Sequence, residues 1–229
     1  MSRLELRDVT VALPTAEGDV PVLGSTTLTL TEQRVALVGA NGSGKSTLAR
    51  LLNGLVTATS GQVLVDDLDP ARDGPAVRRK VAFCFTDPSA QLVMPTVVED
   101  VALSLRRRHR DKAERRVAAR EVLDRFGLAD LADRSVHALS GGQRQLLAIA
   151  GVLATDPDVL VADEPTTLLD LRNTRAIADL LFSLPQQLVL VTHDLDLALR
   201  CDRALLVDGG RVVADGPPAE VVDTYRSRA

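Results

Sequence analysis

The chain has 229 residues, 45% hydrophobic and 25% charged, and its 27 basic and 31 acidic side chains leave a net charge of −4. That length is one large domain, or a core with an inserted lobe, and it buries a core without disulfides or metal. The acidic balance excludes a general nucleic-acid binder, and two distant cysteines, Cys84 and Cys201, exclude a disulfide framework or a Cys-rich zinc site. The longest apolar stretch, residues 146–154, is far short of the ~20 residues that cross a bilayer. The opening MSRLELRDVT does not read as a signal peptide. The expected setting is cytosolic, with any membrane role reached through a partner.

In chain order, the spacing predicts short strands over residues 4–13, 20–23 and 26–30, a small antiparallel sheet punctuated by Pro and Gly. VALVG, residues 35–39, reads as a strand buried on both faces. A Gly-rich loop and a helix over 46–55 follow it. Further apolar strands are expected at 81–85, 159–162, 188–192 and 204–208, several separated by helices. That alternation implies a largely parallel, doubly wound α/β sheet. Residues 97–154 read almost entirely as helix, a lobe inserted between sheet strands. The run RRRHRDKAERR, residues 106–116, reads as a solvated helix face.

GANGSGKS, residues 39–46, fits G-x-x-x-x-G-K-[ST] between a buried strand and a helix. Phosphate oxygens must approach this backbone closely, so side chains at Gly39, Gly42 and Gly44 would obstruct them. Successive N–H groups form an anion nest at a helix N-terminus. Lys45 supplies a cation for the β and γ phosphates, and Ser46 a hydroxyl for Mg²⁺. VLVADEPT, residues 159–166, ends a strand on two carboxylates, where ligands of parallel sheets collect. Asp163 is assigned to the metal and Glu164 to activation of the attacking water. LSGGQ, residues 139–143, opens another helix and offers a second anion cradle through Ser140, Gly141 and Gly142. Its helix, about 18 Å long, holds this cradle roughly a helix length from the first. A twofold dimer, in which each chain caps its partner's nucleotide, resolves the geometry.

Together these motifs resemble the ATP-binding cassette (ABC) ATPases over nearly the whole chain. GANGSGKST is similar to the family's Walker A motif, VLVADEPT to Walker B, and LSGGQ to its signature. The resemblance implies a P-loop NTPase fold with ATP and Mg²⁺ as cofactors. Residues 1–34 would form an antiparallel β part, 35–85 and 155–229 a RecA-like core, and 86–154 a helical signature lobe. It implies nucleotide contacts from Gly39, Asn41, Gly42, Ser43, Gly44, Lys45, Ser46 and Thr47, and from Ser140, Gly141, Gly142, Gln143 and Asp170. Asp170, in TLLD, resembles a D-loop residue at a dimer interface, and His193 the switch histidine that contacts the γ-phosphate. Lys45, Glu164 and His193 are then the catalytic set, with Ser46 and Asp163 on the metal.

FTDPSAQLVMPTVVEDVA, residues 85–102, is similar to a segment of the energy-coupling factor (ECF) importers, which take up vitamins and metal ions. That resemblance implies a second ATPase subunit, a transmembrane coupling subunit, a small substrate-binding membrane protein and no nucleic acid. The chain would sit at the cytoplasmic face of the membrane, with biotin slightly favoured as cargo, ahead of cobalt or another vitamin. The transmembrane partner is expected to dock near residues 86–99. Two departures stand out. Thr86 occupies the place of the Q-loop glutamine, with Gln91 at the segment's second Gln position. Leu13 stands where an aromatic residue stacks on adenine, which predicts binding weaker by ~1 kcal/mol. Leu146 also replaces a common arginine. The alternatives are a soluble, non-transport ABC ATPase and a regulatory cassette without turnover. A P-loop GTPase is disfavoured, since no NKxD guanine-reading motif occurs.

Overall fold

The structure is a computed structural model, and it describes residues 1–16 and 18–228. In chain order the elements are β1 (Leu4–Thr15), β2 (Gly18–Leu30), β3 (Arg34–Val38), α1 (Lys45–Leu51), β4 (Ser60–Val65), α2 (Gly74–Lys80) and β5 (Val81–Cys84). Then come α3 (Val97–Ser104), α4 (Lys112–Arg125), α5 (Gly141–Leu153), β6 (Val159–Asp163), α6 (Leu171–Ser183) and β7 (Gln187–Val191). The chain finishes with α7 (Leu195–Ala198), β8 (Arg203–Asp208), β9 (Arg211–Gly216) and α8 (Pro218–Arg228). It divides into two compact units, residues 1–83, 158–164 and 184–229, and residues 84–157 and 165–183.

The first unit holds two sheets. A six-stranded sheet has the order β5-β6-β7-β3-β8-β9. β6, β7, β3 and β8 run parallel, and β9 turns back antiparallel on β8. Val35–Val38 and β6 are buried along their whole length. Such runs carry apolar side chains on both faces because both faces of a parallel sheet are covered. A three-stranded antiparallel sheet has the order β2-β1-β4. Where three short strands were expected, two long ones form, with bulges between Leu6 and Val9 and between Val9 and Ala12. Pro21 is tolerated because β2 is an edge strand, where a missing N–H need not break the ladder. β4 gave no sequence signal of its own. It lies within residues assigned to the core, yet it pairs with β1.

The second unit is helical. Val97, Val101, Leu123 and Leu147 bring α3, α4 and α5 together in a common core. Short 3-10 turns separate these helices, so the segment is less continuously helical than its composition implies. Residues 165–183 also belong to this unit, although they were expected in the core, because α6 packs on α5. The expected helix over 46–55 stops at Leu51, since Gly54 takes a left-handed turn at φ +73°. Cys84 and Cys201 are both buried and form no disulfide. Burial pushes the Cys201 thiol up to about 12, which leaves it inert.

Candidate functional site

The loop after β3 can be built only with glycine at its entry. Gly39 sits at φ +142°, and a Cβ there would lie 2.1 Å from the Val207 carbonyl oxygen. Gly44, at φ +105°, starts α1 with a Cβ direction 3.1 Å from the Val22 carbonyl oxygen. Gly39 rejects any side chain on steric grounds, and the left-handed backbone at Gly44 strains any residue but glycine. The loop is pinned by the Ser43 N–H donating to Ala40 and the Gly210 N–H donating to Ser43. Asn41, Gly42, Ser43, Gly44, Lys45, Ser46 and Thr47 line a cavity of about 200 Å³ together with Val22 and Glu164.

Two observations inside the loop point to an absent anion. Lys45 is buried, and its Nζ donates to the carbonyls of Gly39 and Ala40 at 2.8 and 2.9 Å. Burial lowers its pKa, while Glu164 and Asp163 oppose that shift. The ammonium rests on two neutral carbonyls with the Asp163 and Glu164 carboxylates as nearby counter-charges, and a phosphate oxygen would bind it in place of the carbonyls. The Ser43 hydroxyl is buried with no hydrogen-bond partner among the described residues. A polyphosphate supplies both needs.

β6 and β7 bring the acidic side of the site to this loop. Ser46 donates to Asp163 Oδ1 at 2.8 Å, and Asp163 is only 1% exposed. Burial pushes the Asp163 carboxyl upward, and the Ser46 hydroxyl, Arg50 and Lys45 pull it back. Arg50, at 3.4 Å from Oδ2, was not anticipated. Its only sequence signal is a basic residue on the helix that carries Ser46. Ser46 and Asp163 are hard oxygen donors placed side by side. No cluster of three or more His, Cys, Asp or Glu side chains able to hold a metal occurs among the described residues. This suits Mg²⁺, which completes its shell with phosphate and water rather than an all-protein cage.

Glu164 follows with φ +51°, a strained conformation for a residue with a side chain. Its N–H donates to the Val191 carbonyl at 2.9 Å, and its Oε2 lies 2.8 Å from His193 Nδ1. The strain turns the carboxylate away from Asp163 toward the end of β7. Thus Lys45, Ser46, Asp163, Glu164 and His193, which span 149 positions of sequence, share one unit.

The remaining expected residues lie in the second unit. Ser140 caps α5: its hydroxyl accepts from the Gln143 N–H at 3.3 Å, and Gln143 Oε1 accepts from the Ser140 N–H at 2.9 Å. That reciprocal cap occupies both side chains. A Cβ at Gly142 would fall 2.5 Å from the Asn173 side chain, which would have to shift. Asn173 in turn donates to Asp170 from both its amide and its backbone. The cradle and the Asp170 segment are therefore coupled through Asn173, a residue the sequence did not single out. Gln91 donates to the Ala148 carbonyl and accepts from the Phe85 N–H, so its amide is committed within this unit. In the first unit, Leu13 is 44% exposed and pairs across the antiparallel ladder with Val20, 49% exposed. The position expected to face adenine thus carries an open aliphatic pair.

The family model described as ABC transporter matches residues 25–167. The chain belongs to the ABC transporter family. As an ABC ATPase it binds and hydrolyses ATP, as the ATP-binding subunit of a transporter. It is 50% identical over 208 residues to an ABC transporter ATP-binding protein of Deinococcus radiodurans, covering 91% of this chain and 92% of that one. It is 44% identical over 203 residues to the biotin transport ATP-binding protein BioM of Rhizobium etli, covering 89% and 90%. Among solved structures, cbiO1 of Clostridium perfringens, part of the ABC transporter complex cbiONQ, matches with TM-score 0.81 at 33% identity, covering 98% and 92%. The cassette MJ0796, dimeric in a post-hydrolysis state with ADP and Pi, matches with TM-score 0.82 at 30% identity, covering 94% and 98%. Among the described residues no helix is long and apolar enough to cross a membrane.

Proposed function

We propose that this ABC ATPase powers an ECF-type importer for a vitamin or metal ion, with biotin the favoured cargo. The ECF-like segment at 85–102 supports this reading, as do the likenesses to BioM and to cbiO1. The observation that carries the chemistry is the joining of Lys45, Ser46, Asp163, Glu164 and His193 around one glycine-walled loop.

In this reading the loop N–H groups from Gly39 to Thr47 cradle ATP, and Lys45 leaves the two carbonyls to pair with the β and γ phosphates. Ser46 and Asp163 hold Mg²⁺, which when bound spreads the charge of the phosphates. Water oxygen bonds to the γ phosphorus as the bond to the β–γ bridging oxygen breaks. Glu164 takes the water's proton, and His193, at 2.8 Å, orients that carboxylate and reaches the γ-phosphate. Ser140, Gly141, Gly142 and Gln143 of one copy close over the nucleotide of a second cassette, with Asp170 at the junction. The dimeric state of MJ0796 supports this arrangement. Closure does work because ATP favours the closed pair over the open one. That work passes to a transmembrane coupling subunit and a small substrate-binding membrane protein at the cytoplasmic face.

Two experiments test the reading. Glu164→Gln is expected to keep MgATP binding, lower phosphate release by about 10²–10⁴-fold, and trap an ATP-dependent dimer in size-exclusion chromatography. An unchanged rate removes Glu164 from its role. Affinity purification of this chain from detergent-solubilised membranes should bring down membrane subunits with a bound vitamin or metal ion. Recovery of no membrane subunit refutes the importer assignment.

A further inference from the structure

Residues 106–116 carry seven Lys or Arg side chains against two acidic ones, a net +5 in a chain whose total is −4, so the other residues carry −9. The segment joins the end of α3 to the start of α4, through a 3-10 turn at Leu105–Arg107. Arg106, Arg107, Arg108, Arg110, Lys112 and Arg116 are all exposed. Part of this charge is neutralised locally. Arg108 pairs with Asp156 at 3.3 Å, and Arg116 and Arg120 share Asp133 at 2.6 and 2.5 Å. Asp111 is held by the cap of α4, accepting from the Ala113 and Glu114 N–H groups.

Arg106, Arg107, Arg110 and Lys112 form no ion pair among the described residues. Four crowded, unneutralised cations repel one another, and the fold gains nothing visible from them. Beside them lies an open groove of about 340 Å³ whose lining mixes apolar Met94, Ala102 and Leu103 with Glu99, Arg106 and Lys112. Val117, one residue past the cluster, is 58% exposed. Dense unpaired cations beside exposed aliphatic surface match the headgroup layer of an anionic bilayer. Nucleic acid fits less well: the cluster has no Phe, Tyr or Trp on which a base would stack.

We infer that Arg106, Arg107, Arg110 and Lys112 form a docking surface for anionic phospholipid, a contact with the membrane made by this chain itself. The inference takes its setting from the membrane reading above, but its test uses neither ATP nor a transporter subunit, so the two fail separately.

The test is co-sedimentation of the purified full chain with vesicles of phosphatidylglycerol and phosphatidylcholine, mixed roughly 3:7, against vesicles of phosphatidylcholine alone. Binding is expected only to the anionic vesicles, and to weaken steeply as salt rises from ~0.05 to ~0.5 M. The variant R106Q/R107Q/R110Q/K112Q should bind at least about tenfold less tightly, with unchanged circular dichroism and unchanged ATP hydrolysis in solution. R116Q/R120Q, which alters cations already paired to Asp133, should bind like the parent. Equal binding to both vesicle types overturns the inference, as does no binding or full binding by the fourfold variant. Tighter capture of an RNA oligomer or a polyglutamate peptide than of anionic vesicles overturns it in favour of that partner class.

Discussion

Burial raises the Asp163 carboxyl above the ordinary aspartate value of 3.8, so its ionised form is disfavoured in the folded chain. The folded state therefore holds its proton more tightly than the unfolded state, and stability falls as pH rises from 3.8 through the raised value. A charge kept in place at such a cost marks function over stability. Asp163→Asn keeps an oxygen for the Ser46 hydroxyl and removes the buried charge. It is expected to unfold at a higher temperature at neutral pH, by about 2–4 °C for each kcal/mol recovered, and to lose Mg²⁺-dependent phosphate release. A variant that melts lower at pH 7 than the parent contradicts this account. Asp163 and Glu164 were legible in the sequence as two carboxylates ending an apolar strand. Arg50 was not, because a basic residue on a helix has many ordinary uses and its partner lies 113 positions away.

At the level of elements, the two glycines that open α5 differ sharply. A Cβ at Gly141 meets nothing closer than 3.8 Å, whereas one at Gly142 meets Asn173 at 2.5 Å. Gly141→Ala should change stability by within about 0.5 kcal/mol. Gly142→Ala should cost about 1–3 kcal/mol and loosen the Asn173–Asp170 pair, read as a lower urea midpoint with an unchanged m-value. Equal midpoints for the two variants would show that Asn173 moves aside freely. The start of α5 could be read directly, since a Ser cap with Gln three residues on is a local pattern. The membership of α6 and β4 could not. Residues 165–183 fold with the helical unit and β4 with β1, and both choices depend on partners distant in sequence.

On the scale of the whole molecule, the phosphate loop, the acids of β6 and the end of β7 are assembled only in the folded state. Nucleotide must then stabilise the chain by mass action. MgATP at 100 times its Kd is expected to add ~2.7 kcal/mol, raising the thermal midpoint, and Lys45→Ala should abolish most of that rise. A parent protein whose midpoint ignores MgATP would contradict the site as built. The chemistry was readable from the chain alone because phosphate recognition is a local problem. Glycines that admit close approach, a cation, a hydroxyl and strand-end carboxylates must stand at set spacings, whatever surrounds them. Tertiary structure alone decided which side chains those groups lean on: Arg50 against Asp163, His193 against Glu164, Asn173 beneath Gly142. Such contacts join residues 29 to 113 positions apart. They arise from packing, and packing leaves no spacing pattern in a sequence.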